Sequence, residues 1–218
     1  MARPPNSDGQ RTRQAILDAA LELFADKGYF GTRLRDVAGA VGVRESALYN
    51  YFPSKEALFE ALLTADSASK TGQMAALLDA PIGDGRALLE RLAGDALARF
   101  VEPHQCRLFR ILMSDGIRLA RDGRINLLEK MGSGRKALQA LMQRLIAAGV
   151  LRDQDVEVLV AQFFGPLLMW RQMHTVDALA PGLRDRDAFV RAHVENFLNG
   201  AAALAVPVPV SVRSTASS

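Results

Sequence analysis

Cysteine is all but missing from this chain. Cys106 stands alone among 218 residues, so no internal disulfide can form, and a cytoplasmic setting is expected. Long apolar runs are missing too, since no stretch of ~18 uncharged apolar residues reads as a membrane span. The opening Met1-Ala2-Arg3-Pro4-Pro5 has no apolar segment ahead of a cleavage site, so no secretory signal is expected. Histidine occurs three times, at 104, 174 and 193, without metal-ligand spacing; neither a metal nor a cofactor is expected. Catalytic signatures are absent: there is no P-loop, no dinucleotide fingerprint and no H-E-x-x-H, and Gly132-Ser133-Gly134 lacks the flanks and strand of a nucleophile elbow. An enzyme is therefore not expected. Net charge is small as well. The formal total is +3, and residues 1–70 hold as many Asp/Glu as Lys/Arg. Any case for nucleic acid has to rest on where the charges sit, not on their sum.

What the chain does have is apolar residues, 49% of the total, spaced as helical stripes. From about Thr12 to Lys27, Ala15, Ile16, Ala19, Ala20, Leu23 and Phe24 form a one-sided helix, and Gly28 is placed to end it at positive φ. Thr32 can cap a short second helix carrying Leu34, Val37, Ala38 and Val41. Gly42 breaks that helix, a third runs from about Arg44 to Phe52, and Pro53 stops it. Ser54 caps a fourth through Leu58, Phe59, Leu62 and Leu63, extending towards Leu78. Pro81-Ile82-Gly83-Asp84-Gly85 is the best boundary signal. Helices then follow over Leu88–Phe100, 105–120 and 125–148. One opened by Asp153 or Asp155 runs to about Thr175, and after a break at Pro181-Gly182 another covers roughly 185–204. The fold class is all-α: an N-terminal three-helix helix-turn-helix domain and a C-terminal helical domain. The divisions expected are a flexible arm at 1–9, the first domain at 10–56, the second at 57–205 and a disordered tail at 206–218.

The third helix carries the functional argument. On a wheel of about 100° per residue, Leu48 and Phe52 define a buried side. Ser46, Ala47 and Asn50 fall opposite, with Tyr49 and Tyr51 on the flanks. A face of small residues can approach a major groove closely. Asn50 suits bidentate contact to adenine, Ala47 suits a thymine methyl, and the tyrosine hydroxyls can reach phosphates on either rim. Thr32 and Arg33 at one helix start and Lys55 at another add phosphate anchors, because helix N-termini attract anions. Glu45 near a helix start favours the dipole but repels phosphate; a cytosine amino group is the base edge it could accept from.

The run Arg13-Gln-Ala-Ile-Leu-Asp-Ala-Ala-Leu-Glu-Leu-Phe-Ala-Asp-Lys-Gly-Tyr with Gly31-Thr32 resembles the opening of a TetR-family repressor domain. So does Asp36-Val-Ala-Gly-Ala-Val-Gly-Val-Arg-Glu-Ser-Ala-Leu-Tyr-Asn-Tyr-Phe-Pro-Ser-Lys-Glu-Ala-Leu, and the likeness covers roughly residues 11–63. It implies phosphate contacts from Thr32, Tyr49, Tyr51 and Lys55, and base contacts from Arg44, Glu45, Ser46, Ala47 and Asn50. Ser46 stands where glycine or proline is frequent in the family and Arg44 where serine often sits, which leaves the operator sequence open.

For the rest of the chain the resemblance implies a helical domain that binds a small-molecule effector and forms a homodimer through its last two long helices. Val156, Leu159, Val160, Phe163, Phe164, Leu167, Leu168 and Trp170 cover more than one face of their helix, as a dimer core would require. Candidate effector contacts are Phe100, His104, Phe109, Met113, Met142, Phe163, Met169 and His174, apolar walls with a few polar groups. The expected partners are double-stranded operator DNA, a second copy and an effector, with no membrane, and the expected role is a ligand-released repressor. The competing reading is a DNA binder independent of small molecules or controlled by a partner protein.

Overall fold

The computed structural model describes residues 7–65 and 81–201, with side chains at 8–65, 81–126 and 134–200. The helices are α1 (Ser7–Gly31), α2 (Leu34–Val41), α3 (Glu45–Tyr49), α4 (55–65), α5 (Gly85–Phe100) and α6 (Pro103–Ile111). They are followed by α7 (Ile117–Arg121), α8 (Leu127–Ala147), α9 (Val156–Thr175) and α10 (Arg186–Ala201). A π-turn at Leu112–Gly116 joins α6 to α7, and a 3₁₀ turn at Pro181–Leu183 precedes α10. No strand occurs among the described residues, and the all-α class holds. The proposed tail and the extension of α4 towards Leu78 lie outside the described residues.

α1 begins earlier than the periodicity predicts. Residues 7–9 are helical, with acidic Asp8 in the positive first turn and its carbonyl accepting the Thr12 hydroxyl at 2.9 Å. Its buried stripe is also turned from the expected one. Ile16, Leu17, Ala20, Leu21 and Phe24 are inside, whereas Ala15 is exposed and Leu23 half-buried. Two leucines bury more apolar area than the alanine they displace, so the helix rolls towards them. Gly28 takes φ 73°, the conformation a β-carbon disfavours, and there the helix kinks.

Two apolar clusters divide the interior. The first joins α1–α4 through Ile16, Phe24, Tyr29, Val37, Leu48, Phe52 and Phe59, and it also draws in Leu108, Ile111, Leu119 and Ile125 from the α6–α7 region. Residues beyond 57 are therefore shared between the two cores. The second joins α5, α8, α9 and α10 through Leu89, Leu97, Leu141, Leu145, Leu159, Phe163, Leu167, Trp170 and Val194. Its helices start where side chains can cap them. The Asp84 carboxylate accepts from the N–H groups of Arg86 (2.9 Å) and Ala87 (3.2 Å) at the start of α5, and Asp155 accepts from Glu157 N–H at 2.8 Å at the start of α9. Gly85 is needed for packing: a β-carbon there would lie 2.5 Å from Val150 Cγ1. The single helix expected over 105–120 is interrupted by the π-turn, where Gly116 is buried close to Phe59.

Candidate nucleic-acid interface

α2, its turn and α3 are held by short-range bonds. Gly42 adopts φ 75°, its N–H reaches Gly39 O at 3.2 Å, and Val43 N–H closes on Ala38 O at 3.0 Å. That terminates α2 as a left-handed glycine cap does. α3 is shorter than the sequence suggests, because it ends at Tyr49 rather than Phe52. Asn50 N–H bonds to Ala47 O (3.2 Å) and Tyr51 N–H to Leu48 O (2.9 Å), a tighter winding of the last turn. Pro53 then follows, and the Ser54 hydroxyl caps α4 through Ala57 N–H at 3.0 Å.

Leu48 is fully buried and Phe52 nearly so, which fixes α3 by its rear. Arg44, Glu45, Ser46, Tyr49 and Asn50 stand exposed on the outer side, and Ala47 is half-buried. Tyr49 is 47% exposed, and among the described residues its hydroxyl makes no hydrogen bond. Tyr51 differs from its expected twin: it is half-buried and packs on the first core.

The anchor residues are arranged less simply than their sequence positions imply. Thr32 is 0% exposed, and its hydroxyl donates to Leu23 O (3.0 Å) and Gly28 O (2.9 Å). It neither caps α2 nor presents its hydroxyl to solvent, because the kink at Gly28 leaves carbonyls that this hydroxyl satisfies. The N-cap is Arg33, which is exposed and whose N–H donates to the Asp36 carboxylate at 3.1 Å. Lys55 is half-buried: its Nζ donates to Thr32 O at 2.8 Å and sits 4.2 Å from the centre of the Tyr29 ring. Burial lowers its pKa below the usual lysine value, against the attraction of Glu56.

Sequence reading missed the cluster beneath these anchors. Tyr29 is buried against Phe24 and Phe59, and its N–H donates to the Asp115 carboxylate at 2.8 Å. Arg124 pairs with Glu56 and lies over the Tyr29 and Phe30 rings. Burial alone would raise the Glu56 pKa; its own backbone N–H and the Arg124 guanidinium outweigh it and hold the carboxyl below its usual range. No spacing along the chain announces a contact between residues 29 and 115.

The candidate effector residues do not gather around one cavity among the described residues. Phe100 and Phe109 face the buried Arg171 guanidinium from 4.6 and 4.2 Å, and that group donates to Gln105 O at 2.7 Å. Met142 and Phe163 are fully buried in the second core. His174 stacks on Trp170 with ring centres 5.2 Å apart, and His104 is exposed. Met169 lines an open apolar recess of about 440 Å³ with Gly165, Pro166, Trp170, Met173, Leu183 and Phe189. Met113 lines a separate one beside Ile117 and Arg118. No group of three or more metal-ligating side chains, and no helix long and apolar enough to cross a membrane, occurs among the described residues.

A short helix anchored from behind, exposing a slim polar face beside basic residues, defines a helix-turn-helix protein. Comparison with known proteins agrees. Residues 16–62 match the model described as bacterial regulatory proteins, tetR family, and residues 87–200 match the AefR-like transcriptional repressor C-terminal domain. The chain belongs to the TetR family of DNA-binding transcriptional regulators. It is 51% identical over 51 residues to the HTH-type transcriptional regulator RutR of Escherichia coli, a match that covers 23% of this chain and 24% of RutR. The fold is that of a TetR-family regulator from Mesorhizobium loti, with TM-score 0.71 and 22% identity over 88% of this chain and 96% of that one. It is also that of FadR from Bacillus subtilis, solved in complex with stearoyl-CoA, with TM-score 0.69 and 19% identity over 86% and 98% of the two chains.

Proposed function

We propose that this protein is a homodimeric repressor that reads a palindromic operator through α3 and is released from it by a small molecule. The observation that carries the reading is the exposed face of α3, with Tyr49 and Asn50 outward and Leu48 fully buried behind them. In this reading Ser46, Ala47 and Asn50 meet base edges together with Arg44 and Glu45. Tyr49, Arg33 and the ammonium of Lys55 meet phosphates, and Tyr51 supports the rim from its half-buried position. Thr32 acts through its carbonyl, which holds Lys55 in place.

The dimer would form on α9 and α10. Val158, Leu168 and Met169 are exposed on α9, and the apolar recess beside them is open. An apolar surface of this kind along α9 marks an interface. Two copies must then present α3 about 34–36 Å apart to enter successive major grooves. The effector site belongs to the second core, where the Arg171–Phe100–Phe109 sandwich supplies a cation among apolar walls. Because FadR of similar fold was solved with stearoyl-CoA, that molecule is the first probe to titrate.

Selection of duplexes from a random-sequence library by the full-length protein tests the DNA reading, followed by footprinting of the winner. Two protected half-sites related by a two-fold, one helical turn apart, are expected. Enrichment of no sequence over the starting pool would refute it. An effector that binds the protein yet leaves operator affinity unchanged would refute release, since differential affinity has to be reciprocal.

A further inference from the structure

The run Ile117-Arg118-Leu119-Ala120-Arg121-Asp122-Gly123-Arg124 puts three arginines outside the helix-turn-helix, beyond the 16–62 match and within the 87–200 one. Leu119 is fully buried in the first core and pins α7 from behind. Ile117, Arg118 and Arg121 lie three and four residues apart, so they share the opposite, outward face. The side chains of Arg118 and Arg121 are 61% and 79% exposed. Their stems lie beside Met113 and Ile117 in a shallow recess, which leaves the charged ends in solvent. At the end of α7 Gly123 takes φ 70°, and Arg124 N–H bonds back to Leu119 O at 2.9 Å. That turn lays Arg124 over the Tyr29 and Phe30 rings.

The carboxylates facing these arginines are Asp115, Glu56 and Asp122. Asp115 is engaged by the Tyr29 N–H at 2.8 Å and Glu56 by Arg124, while Asp122 is shared between Arg118 at 3.9 Å and Arg121 at 3.8 Å. One carboxylate between two guanidinium groups leaves the outward face of α7 positive, and exposed pairs this long are weak. The face also adjoins the end of the first domain that meets DNA. The Arg118 guanidinium lies 4.4 Å from the Phe30 ring centre, within cation–π range. Phe30 is three residues before Arg33, the exposed N-cap of α2, and three residues span at most about 11 Å. Lys55 is tied to the same corner through the Tyr29 ring and Thr32 O. Each strand of a duplex offers a phosphate about every 3.4 Å of axis, and a guanidinium binds phosphate oxygens through paired N–H donors.

We infer that Arg118 and Arg121 carry the DNA interface beyond the helix-turn-helix, gripping backbone phosphates next to those held by Arg33. The contact reads no base; it adds sequence-independent affinity and fixes how the chain sits on the duplex. Phe30 is the platform of Arg118, so less side-chain freedom is lost when a phosphate arrives. Asp122 competes with that phosphate for both arginines. The inference rests on the DNA reading above.

The test uses the full-length protein and the duplex it selects, with anisotropy across a range of salt concentrations and ethylation interference on each strand. Arg118→Ala combined with Arg121→Ala should raise Kd about thirtyfold, a little over twofold for each of four exposed contacts in the dimer. The loss should be equal on an unrelated duplex. The slope of log K against log salt should flatten by about three to four units, near 0.9 per phosphate. Ethylation of at least one phosphate per half-site, adjacent to one that depends on Arg33, should cease to interfere. Arg121→Ala alone should give about half of the slope change, and the paired lysine variants should keep most of the slope. Asp122→Asn should act the other way and tighten both duplexes severalfold, a gain that loss of a merely structural contact would not produce. Arg152→Ala, at an exposed arginine between α8 and α9, should change nothing. An unaltered slope and ethylation pattern in the double alanine variant would overturn the inference, and so would weaker binding in Asp122→Asn. If Asn50→Ala and Tyr49→Phe weaken binding while the arginine variants do not, the DNA reading stands and only this inference falls. If the wild-type protein binds no duplex, both fall.

Discussion

Replacing Tyr49 by phenylalanine removes one oxygen from the proposed DNA face and nothing from the core. The ring stays, 47% exposed, and the hydroxyl that is lost makes no hydrogen bond among the described residues. Folding stability should therefore stay within about 0.5 kcal/mol, a change of roughly 2 °C or less in Tm for a chain of this size. DNA affinity should behave differently. A hydrogen bond to a charged acceptor contributes about 1.5 kcal/mol at the weak, solvent-exposed end of its range. A symmetric dimer loses one from each half-site, about 3 kcal/mol in total, so Kd should rise roughly 150-fold. Because phosphates carry no sequence, the loss should be shared between the selected operator and an unrelated duplex. Fluorescence anisotropy with both duplexes at one fixed salt concentration, alongside thermal unfolding, makes the comparison. An operator affinity within threefold of wild type would show that the hydroxyl does not reach DNA. A fall in Tm of several degrees would show that Tyr49 is a packing residue after all.

The other predictions address bases, charge, pH and assembly. Asn50→Ala should relax base preference at one operator position, whereas Lys55→Ala should weaken every sequence alike and flatten the salt dependence by about one unit per half-site; uniform loss in Asn50→Ala would remove it from the base contacts. His193 is buried between Phe163 and Phe189, with Nε2 2.8 Å from Phe163 O, and burial lowers its pKa below the usual histidine value despite that hydrogen bond. The folded state thus binds fewer protons than the unfolded one, so its contribution is complete above about pH 6.5 and is lost as pH falls through that value towards the folded pKa. His193→Gln should reduce the slope of Tm against pH between 5.5 and 6.5, and an unaltered slope would contradict the assignment. Leu168→Arg alters an exposed position on α9; it should leave helical content intact and shift sedimentation from dimer to monomer, and a persistent dimer at micromolar concentration would move the interface elsewhere.

The features legible in the sequence were those set by neighbours a few residues apart. Glycine stops at 28 and 42, the Ser54 cap and the buried pair Leu48 and Phe52 depend on local geometry, and each lies where the pattern placed it. Of the two candidates for opening α9, Asp155 is the one whose carboxylate caps the helix. Features decided by tertiary packing were not legible. Whether α1 buries Ala15 or Leu17 and Leu21 depends on what lies against it, and periodicity admits both. Thr32 carries a capping side chain but stands one residue before the N-cap, Arg33, and a kink nearby offers its hydroxyl two carbonyls and draws it inside. The candidate effector residues share a type, and they lie scattered because type says nothing about which helices face one another. Asp115 is an unremarkable exposed-looking acid until an N–H 86 residues away turns towards it.

Residues 1–70 are balanced in charge, and among the described residues two of the acids flanking α3 have partners of their own. Asp36 is turned towards Arg33 N–H at the start of α2. Glu56 is paired with Arg124, a residue from beyond the first domain, so its charge is compensated away from α3. Arg33, Arg35 and Arg44 remain exposed around the helix that carries Tyr49 and Asn50. A phosphate approaching that side would meet Arg33 and Arg44, while Arg35 is shared with Asp36 at 3.8 Å, and at Debye lengths near 8–10 Å only the nearest charges count. Glu45 is the exception, exposed in the first turn of α3. There it favours the helix dipole and repels phosphate, so in the proposed reading the N-terminal end of α3 faces base edges in the groove and not the phosphate rim.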